Sequence, residues 1–473
     1  MEDRYIATVD LGTSKIALAV ARVTGSNAEV LYYKENPSDG VRHGGIFNPT
    51  KASVPLKKAI DEAENELGIK ISQVVIGVPR YGVKQESNSA KVDRTDADSC
   101  ITQEEIDTIK NMALDSYPLA NLDEQEIYGG SAQSFSTDDF FNYKKEDVVG
   151  MPSRVLEGNF KVFIGAKKAS RNIDIMLNSA GVAPARKFFL PPLCANAVLN
   201  EEEKENGVAL VEIGAGVSSV TIYHGGILRY YHAIPFGGAT VTNDIKLECG
   251  FTEHLAENIK LAFGACIPEK LQSMSEKILQ IKDEENGTDQ QLHVKYLSEI
   301  ITARMREIIE AILFKIQESG FADRLRSGVV LTGGCADLAG CSTLFKDMSG
   351  YSVRTGYPRA KGFSASGCPA INETSAAATV GMLLQVRDDT HLNCVDSLVG
   401  KEKEQETAPV QDTPEEESLE GTVFGADAWE VKDEKRKRIR KQKNKEKKDT
   451  FQLSWVKKVE DLVGNLYEKI EDK

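Results

Sequence analysis

Two short stretches of the chain carry residue types that could hold a phosphate. The first is Asp10-Leu11-Gly12-Thr13-Ser14-Lys15 and the second is Glu212-Ile213-Gly214-Ala215-Gly216. Each ends an apolar run and leads into a second β-prone run, "YIATVDLGTSKIALAV" from residue 5 and "VALVEIGAGVSSVTIY" from residue 208. A hairpin turn of small residues offers backbone N–H groups to an anion and lets a phosphate come close to the main chain. In the first copy Lys15 adds positive charge, and Thr13 and Ser14 supply hydroxyls. Asp10 ends its strand, where a carboxylate can orient water around Mg2+, a cation that keeps several waters and takes few protein oxygens. The second copy has no lysine, its acid is one methylene longer, and Val217 stands where a hydroxyl would help. Asp10 and Glu212 are thus the candidates for orienting a metal or its water. One such hairpin is ordinarily a plain β-turn. Two of them, one in each of two facing domains, make a clamp in an interdomain cleft, a common place for a ligand.

A third stretch, "VVLTGG" at 329–334, delivers Gly333 and Gly334 from a strand to a helix start. Backbone there can pack against a nucleotide's α-phosphate, sugar or base. In a fourth, "EHLAENIKLAFG", Glu257 and Lys260 share a helix face and could hold ribose hydroxyls. Taken alone, that pair reads more simply as a surface ion pair.

The elements that must position these residues are legible in part. The first half reads as strand, hairpin, strand, helix, strand. Leu56, Ala59, Ile60, Ala63 and Leu67 share one face of the helix, and "ISQVVIGVP" is a buried strand ending at Pro79. Residues 81–165 are more polar and read as an inserted subdomain, with a capping box at Thr102 and Glu105 and little sustained pattern after it. "SRNIDIMLNSAGV" is a helix stopped by Gly181, and "LPPLCANAVLN" is a short helix rich in small residues. The hairpin pattern restarts after Gly207, followed by a helical region at 253–319 broken near "DEENGTDQQ" and a small-residue helix "SAAATVGMLL". A repeat spaced by about two hundred residues is too long for a solenoid and suggests two similar domains.

These stretches, in this order, resemble the actin/Hsp70/sugar-kinase superfamily of ATP-binding proteins. The two hairpins look like its phosphate-1 and phosphate-2 motifs, "VVLTGG" like its adenosine motif, and the two small-residue helices like its connecting helices. Within the superfamily the chain resembles most the FtsA family of bacterial cell-division actin homologues, over roughly residues 4–386. The resemblance implies an α/β, actin-like two-domain ATPase fold with an inserted subdomain. It divides the chain into domain I (1–80 and 166–200), the insert (81–165) and domain II (201–386, with a subdomain at about 243–326). It implies binding of ATP with Mg2+, self-assembly into filaments, docking of the FtsZ C-terminal tail and contact with other division proteins. Through it, Gly12 to Lys15, Gly214 to Gly216, Glu257, Lys260, Gly333 and Gly334 become cofactor-binding candidates. The helix "LSEIITARMREIIEAI" aligns with the family's tail-binding region, which makes Arg304 and Arg306 candidates to meet a carboxylate-bearing peptide. The chain departs from the family where the phosphate-2 motif usually reads Asp-x-Gly-Gly-Gly-Thr and here runs from Glu212 to Val217. A metal–water network is less forgiving of such displacements than backbone contacts are. Slow ATP turnover is the expectation. The other readings are a small-molecule kinase or phosphatase of the superfamily and a pilus-assembly actin-like protein that binds a peptide.

The bulk numbers agree with these readings. Among 473 residues the net charge is −14, which argues against a nucleic-acid binder. The opening "MEDRYIATVDLG" is not a secretory leader, and no apolar run approaches a transmembrane span. The eight Cys are scattered without a CxxC pair and read as reduced thiols.

From residue 387 to 449 apolar periodicity fades, and the composition is that of a disordered linker. Its end, 432–448, holds eleven basic residues against three acidic. Periodicity returns at 450–473, where Trp455, Val456, Val459, Leu462, Val463, Leu466, Tyr467 and Ile470 form one apolar helical stripe. That stripe is too broken by charge to span a bilayer and long enough to lie on one. The adjacent basic run would add roughly 1 kcal/mol per basic residue on an anionic leaflet. A short coiled coil or a nucleic-acid arm are the plainer readings of the two segments taken separately. Together they point to peripheral attachment to a membrane surface, which the family resemblance implies is the cytoplasmic face of the inner membrane at the division site.

Overall fold

Runs that are apolar on both faces become the middle strands of sheets covered on both sides. Ile6, Ala7, Val9, Val74, Val75 and Ile76 are essentially fully buried in this way. The structure is a computed structural model that describes residues 3–25, 27–139, 141–266, 277–282, 289–359 and 362–396. The expected linker beyond 396, the basic run and the amphipathic helix at 450–473 lie outside the described residues.

Arg4–Leu11 and Lys15–Thr24 pair antiparallel as the first hairpin. They belong to a six-stranded sheet in the order Ala183–Phe189, Gln73–Val78, Arg4–Leu11, Lys15–Thr24, Asn27–Pro37, Phe363–Ser364. Val208–Ile213 and Ser218–His224 form the second hairpin. Their sheet has five strands, ordered Ile227–Ile234, Ser218–His224, Val208–Ile213, Val329–Thr332, Val353–Thr355. In each sheet the first strand of the hairpin also pairs in parallel with a later strand, Gln73–Val78 or Val329–Thr332. The sequence repeat is therefore a repeat of sheet topology.

Helix Pro49–Leu67 starts at Asn48, whose side chain accepts from Lys51 N, and ends at Gly68 in the left-handed region. It lays Leu56, Ala59, Ile60 and Ala63 into the first core. The second core is organised by helix Val294–Glu318, which buries Leu297, Ile301, Met305, Ile308 and Ile312. Between strands of the first sheet comes the insert. Its helix Gln103–Asp115 carries the Thr102/Glu105 capping box, and its strands run in the order Lys84–Asp93, Val155–Ala166, Gln125–Ser136. Ile106, Ile109, Phe135 and Phe160 form its own small core. Strand Gln125–Ser136 is half-exposed along most of its length, so it shows no alternation to read.

Two boundaries differ from the sequence expectation. Phe363–Ser364 joins the first sheet, and helix Ala377–Val386 packs in the first core, although 201–386 reads as one domain in sequence. The chain also stays with the body past 387: Cys394 N donates to Tyr5 O at 2.7 Å, and Val395 bridges Ile71. Backbone pairing of this kind leaves little apolar periodicity. Helix Leu190–Val198 crosses Ala377–Val386 closely, since a Cβ on Gly381 would lie 2.5 Å from the Leu193 carbonyl oxygen.

All eight cysteines are free: Cys100 is exposed on the insert, while Cys194, Cys266, Cys341 and Cys394 are buried. Burial pushes the Cys266 thiol up to about 12 and those of Cys335 and Cys394 up to about 11. Among the described residues no cluster of three metal-ligating side chains occurs, and no helix is long and apolar enough to cross a membrane.

Candidate functional site

The two hairpin turns meet each other. Gly12 N donates to Lys15 O at 2.8 Å and Gly214 N to Val217 O at 2.9 Å, which closes each turn. A Cβ on Gly216 would lie 2.6 Å from Thr13 Oγ1, so only glycine allows the contact. A third segment stitches the turns together. Gly44 N donates to Thr13 Oγ1 at 3.0 Å, and His43 Nδ1 lies 2.9 Å from Gly216 O. Sequence reasoning did not find His43 and Gly44. Their one signal was the pair of adjacent glycines, Gly44 and Gly45.

The second turn is braced from behind. Gly238 N donates to Gly214 O at 2.9 Å and Ala239 N to Ala215 O at 2.7 Å, both from the start of helix Gly238–Cys249. Lys260 holds that helix start in place: its Nζ donates to Gly238 O at 3.1 Å, Thr242 Oγ1 at 2.8 Å and Glu257 Oε2 at 2.7 Å. Lys260 is only 8% exposed while the Glu257 side chain is 39% exposed, so the pair is half-buried, with its lysine turned inward. Gly333 sits at φ 90° with its Cα against the Ile213 carbonyl, and Cys335 N donates to Ile213 O at 3.0 Å. Gly334 has ordinary space beside Ser375. The structure thus brings Gly214 to Gly216, Lys260 and Gly333 into one neighbourhood. Lys15 is ion-paired with Glu35, which also accepts from Tyr33 Oη at 2.6 Å, and Ser14 is exposed.

Asp10 and Glu212 occupy equivalent places in the two hairpins, pairing with Ala17 and Ser219 across the respective strands. Both are buried, at 9% and 5% exposure. Arg80, two residues past strand Gln73–Val78, lies between them. Its Nη1 is 2.6 Å from Glu212 Oε1 and its Nη2 is 3.5 Å from Asp10 Oδ1. Its own carbonyl accepts from Tyr231 Oη at 2.7 Å. Burial alone would lower the Arg80 pKa, but the nearby charge of Glu212, with that of Asp10, raises it, so the guanidinium stays charged. Burial and the same Glu212 charge push the Cys194 thiol well up and keep it protonated. Asp10 Oδ1 is shielded from solvent and makes no hydrogen bond. Its charge partner is Arg80 Nη2 at 3.5 Å, too long for a good hydrogen bond, so a metal-bound water could take that place. Glu212 does not suit that role, because its carboxylate is committed to Arg80. Sequence reasoning missed Arg80, whose signal was a charge two residues past the apolar end of a buried strand.

Arg304 and Arg306 part company. Arg304 pairs with Asp244 (Nη2–Oδ1 3.0 Å) and with Glu307, whereas Arg306 is exposed on the same helix. The apolar stripe from Trp455 to Ile470 lies outside the described residues.

Known proteins share this chain's pattern. A family model described as "Cell division protein FtsA" matches residues 209–381. Cell division protein FtsA of Neisseria meningitidis serogroup B is 28% identical over 366 residues, 76% of this chain and 86% of that protein. The FtsA of Borreliella burgdorferi is 29% identical over 360 residues, with the same shares covered. Among solved structures, the PilM-PilN type IV pilus biogenesis complex superposes with a TM-score of 0.57 at 15% identity, over 81% of this chain and 98% of that one. That likeness shows the shared α/β, actin-like fold.

Proposed function

We propose that the chain is a member of the FtsA family of actin-like cell-division proteins, that it binds ATP between its two hairpin turns and that it acts as a nucleotide-loaded scaffold. The observation that carries the reading is the pair of equivalent hairpins, one in each sheet, whose glycine-bearing turns face each other. Backbone N–H groups of both turns would hold the phosphates, and Gly333 and Lys260 stand beside the second turn, where sugar or base would pack. Mg2+ would arrive on the phosphates, with Asp10 orienting its water. Glu212 and Val217 leave the second turn poorly equipped for hydrolysis, so turnover is slow.

The scaffold assembles with copies of itself at the cytoplasmic face of the inner membrane, binds the FtsZ C-terminal tail and meets other divisome proteins. Its attachment is peripheral, through the stripe at 450–473 and the basic run before it.

The test has two readouts. Gly216→Leu drives the turns apart and should weaken binding of a fluorescent ATP analogue about tenfold or more, near 1.4 kcal/mol. The full chain with ATP should carry FtsZ filaments up with anionic vesicles in flotation, and a chain ending at residue 449 should not. Equal ATP binding by the variant, or equal flotation by the shortened chain, defeats the corresponding half.

A further inference from the structure

The acids of the two hairpins are not simply a pair awaiting a metal. Asp10 ends one strand and Glu212 the other, in different sheets, and a single guanidinium reaches both. A planar fork of donors can span two carboxylates in a way that an ammonium cannot. Arg80 is held for this task. Tyr231, on the second sheet, donates to its carbonyl, and the Tyr231 ring packs edge-on against Phe189 at 5.0 Å, which itself stacks on Phe163 at 4.6 Å. The guanidinium therefore sits where a divalent cation shared by Asp10 and Glu212 would have to go. A divalent cation placed there would be repelled at close range by the guanidinium already paired with both acids.

We propose that Arg80 is a built-in counter-cation of the cleft, which cross-links Asp10 and Glu212 in the nucleotide-free chain and excludes a divalent cation from the acid pair. Entry of a metal–nucleotide then takes Asp10 from Arg80, the weaker of its two contacts, and leaves the Glu212 pair intact. The longer side chain at 212 belongs to this arrangement: the extra methylene brings its carboxylate to 2.6 Å from the guanidinium. The proposal rests on the reading of the cleft as a nucleotide site. It makes metal far less important to nucleotide affinity than two free carboxylates would.

Mn2+ alone is the first probe, followed by electron paramagnetic resonance on the full chain without nucleotide. The wild-type chain should leave the free-Mn2+ signal nearly unchanged. Arg80→Met should bind one Mn2+ per chain, and the double variant Arg80→Met with Glu212→Gln should lose that binding by about tenfold or more. Arg80→Lys keeps a charge but reaches one carboxylate. It should bind Mn2+ to an intermediate degree, and it decides the matter if Arg80→Met does not fold. Wild-type Mn2+ binding as tight as that of Arg80→Met, or a lysine variant indistinguishable from wild type, overturns the proposal. The second probe is ATP, with and without a chelator. Chelation should weaken wild-type affinity less than about threefold and that of Arg80→Met about tenfold or more. A wild-type chain that binds no ATP in either condition defeats the nucleotide reading alone, and the Mn2+ result still decides the role of Arg80.

Discussion

At the scale of single residues, the cleft is governed by a few buried charged groups. Arg80, Asp10 and Glu212 concentrate two negative charges and one positive in buried surroundings. Removing the middle partner of such a group typically costs about 3–5 kcal/mol, because the remaining charges lose compensation and not merely a contact. Gly333 illustrates a backbone constraint. Its φ of 90° is left-handed, and a Cβ there would lie 2.7 Å from Ile213 O. Gly333→Ala should therefore destabilise the chain by about 2 kcal/mol or more, read as a lower thermal midpoint. An unchanged midpoint would mean that the Ile213 strand end yields.

At the scale of elements, the helix Val294–Glu318 divides its labour by face. One face is core, and Arg304 on its edge is tied to Asp244 of helix Gly238–Cys249. Reversing Arg304 would set three acids together with Asp244 and Glu307 and disturb both helices. Arg306 is exposed and is the cleaner probe of tail docking. Arg306→Glu should reduce co-sedimentation with an FtsZ tail peptide at least about tenfold while leaving the melting curve in place. Retained binding removes Arg306 as a contact. Elements with strong local signatures were legible in the sequence: both hairpins, the Thr102 capping box, and Gly181 as a helix stop. Elements whose partners lie far along the chain were not. Arg80 gains its meaning only from acids 70 residues before it and 132 after, and Phe363–Ser364 only from a strand over 330 residues earlier. Lys260 looked like a surface charge because i,i+3 spacing reveals the shared face and not what covers it.

At the scale of the whole molecule, two sheets of like topology are joined by helices that touch through small residues. The crossing at Gly381 leaves no room for a side chain, and at the cleft Arg80 and the Thr13–Gly216 contact bridge the two hairpins. The insert has its own core and also touches the second sheet, where Gln133 Nε2 donates to Leu228 O at 2.8 Å and Gln85 Oε1 accepts from Tyr231 N at 2.9 Å, and it carries the one exposed thiol among the eight cysteines. That distribution makes the insert addressable by chemistry. A brief treatment of the native chain with a maleimide dye should modify Cys100 first and near-completely, as peptide mass spectrometry would show, while Cys194, Cys266, Cys341 and Cys394 stay unlabelled. Rapid labelling of those four would signal an opened body. Otherwise a dye on Cys100 would report where the insert goes in the proposed filament, with no cysteine added or removed.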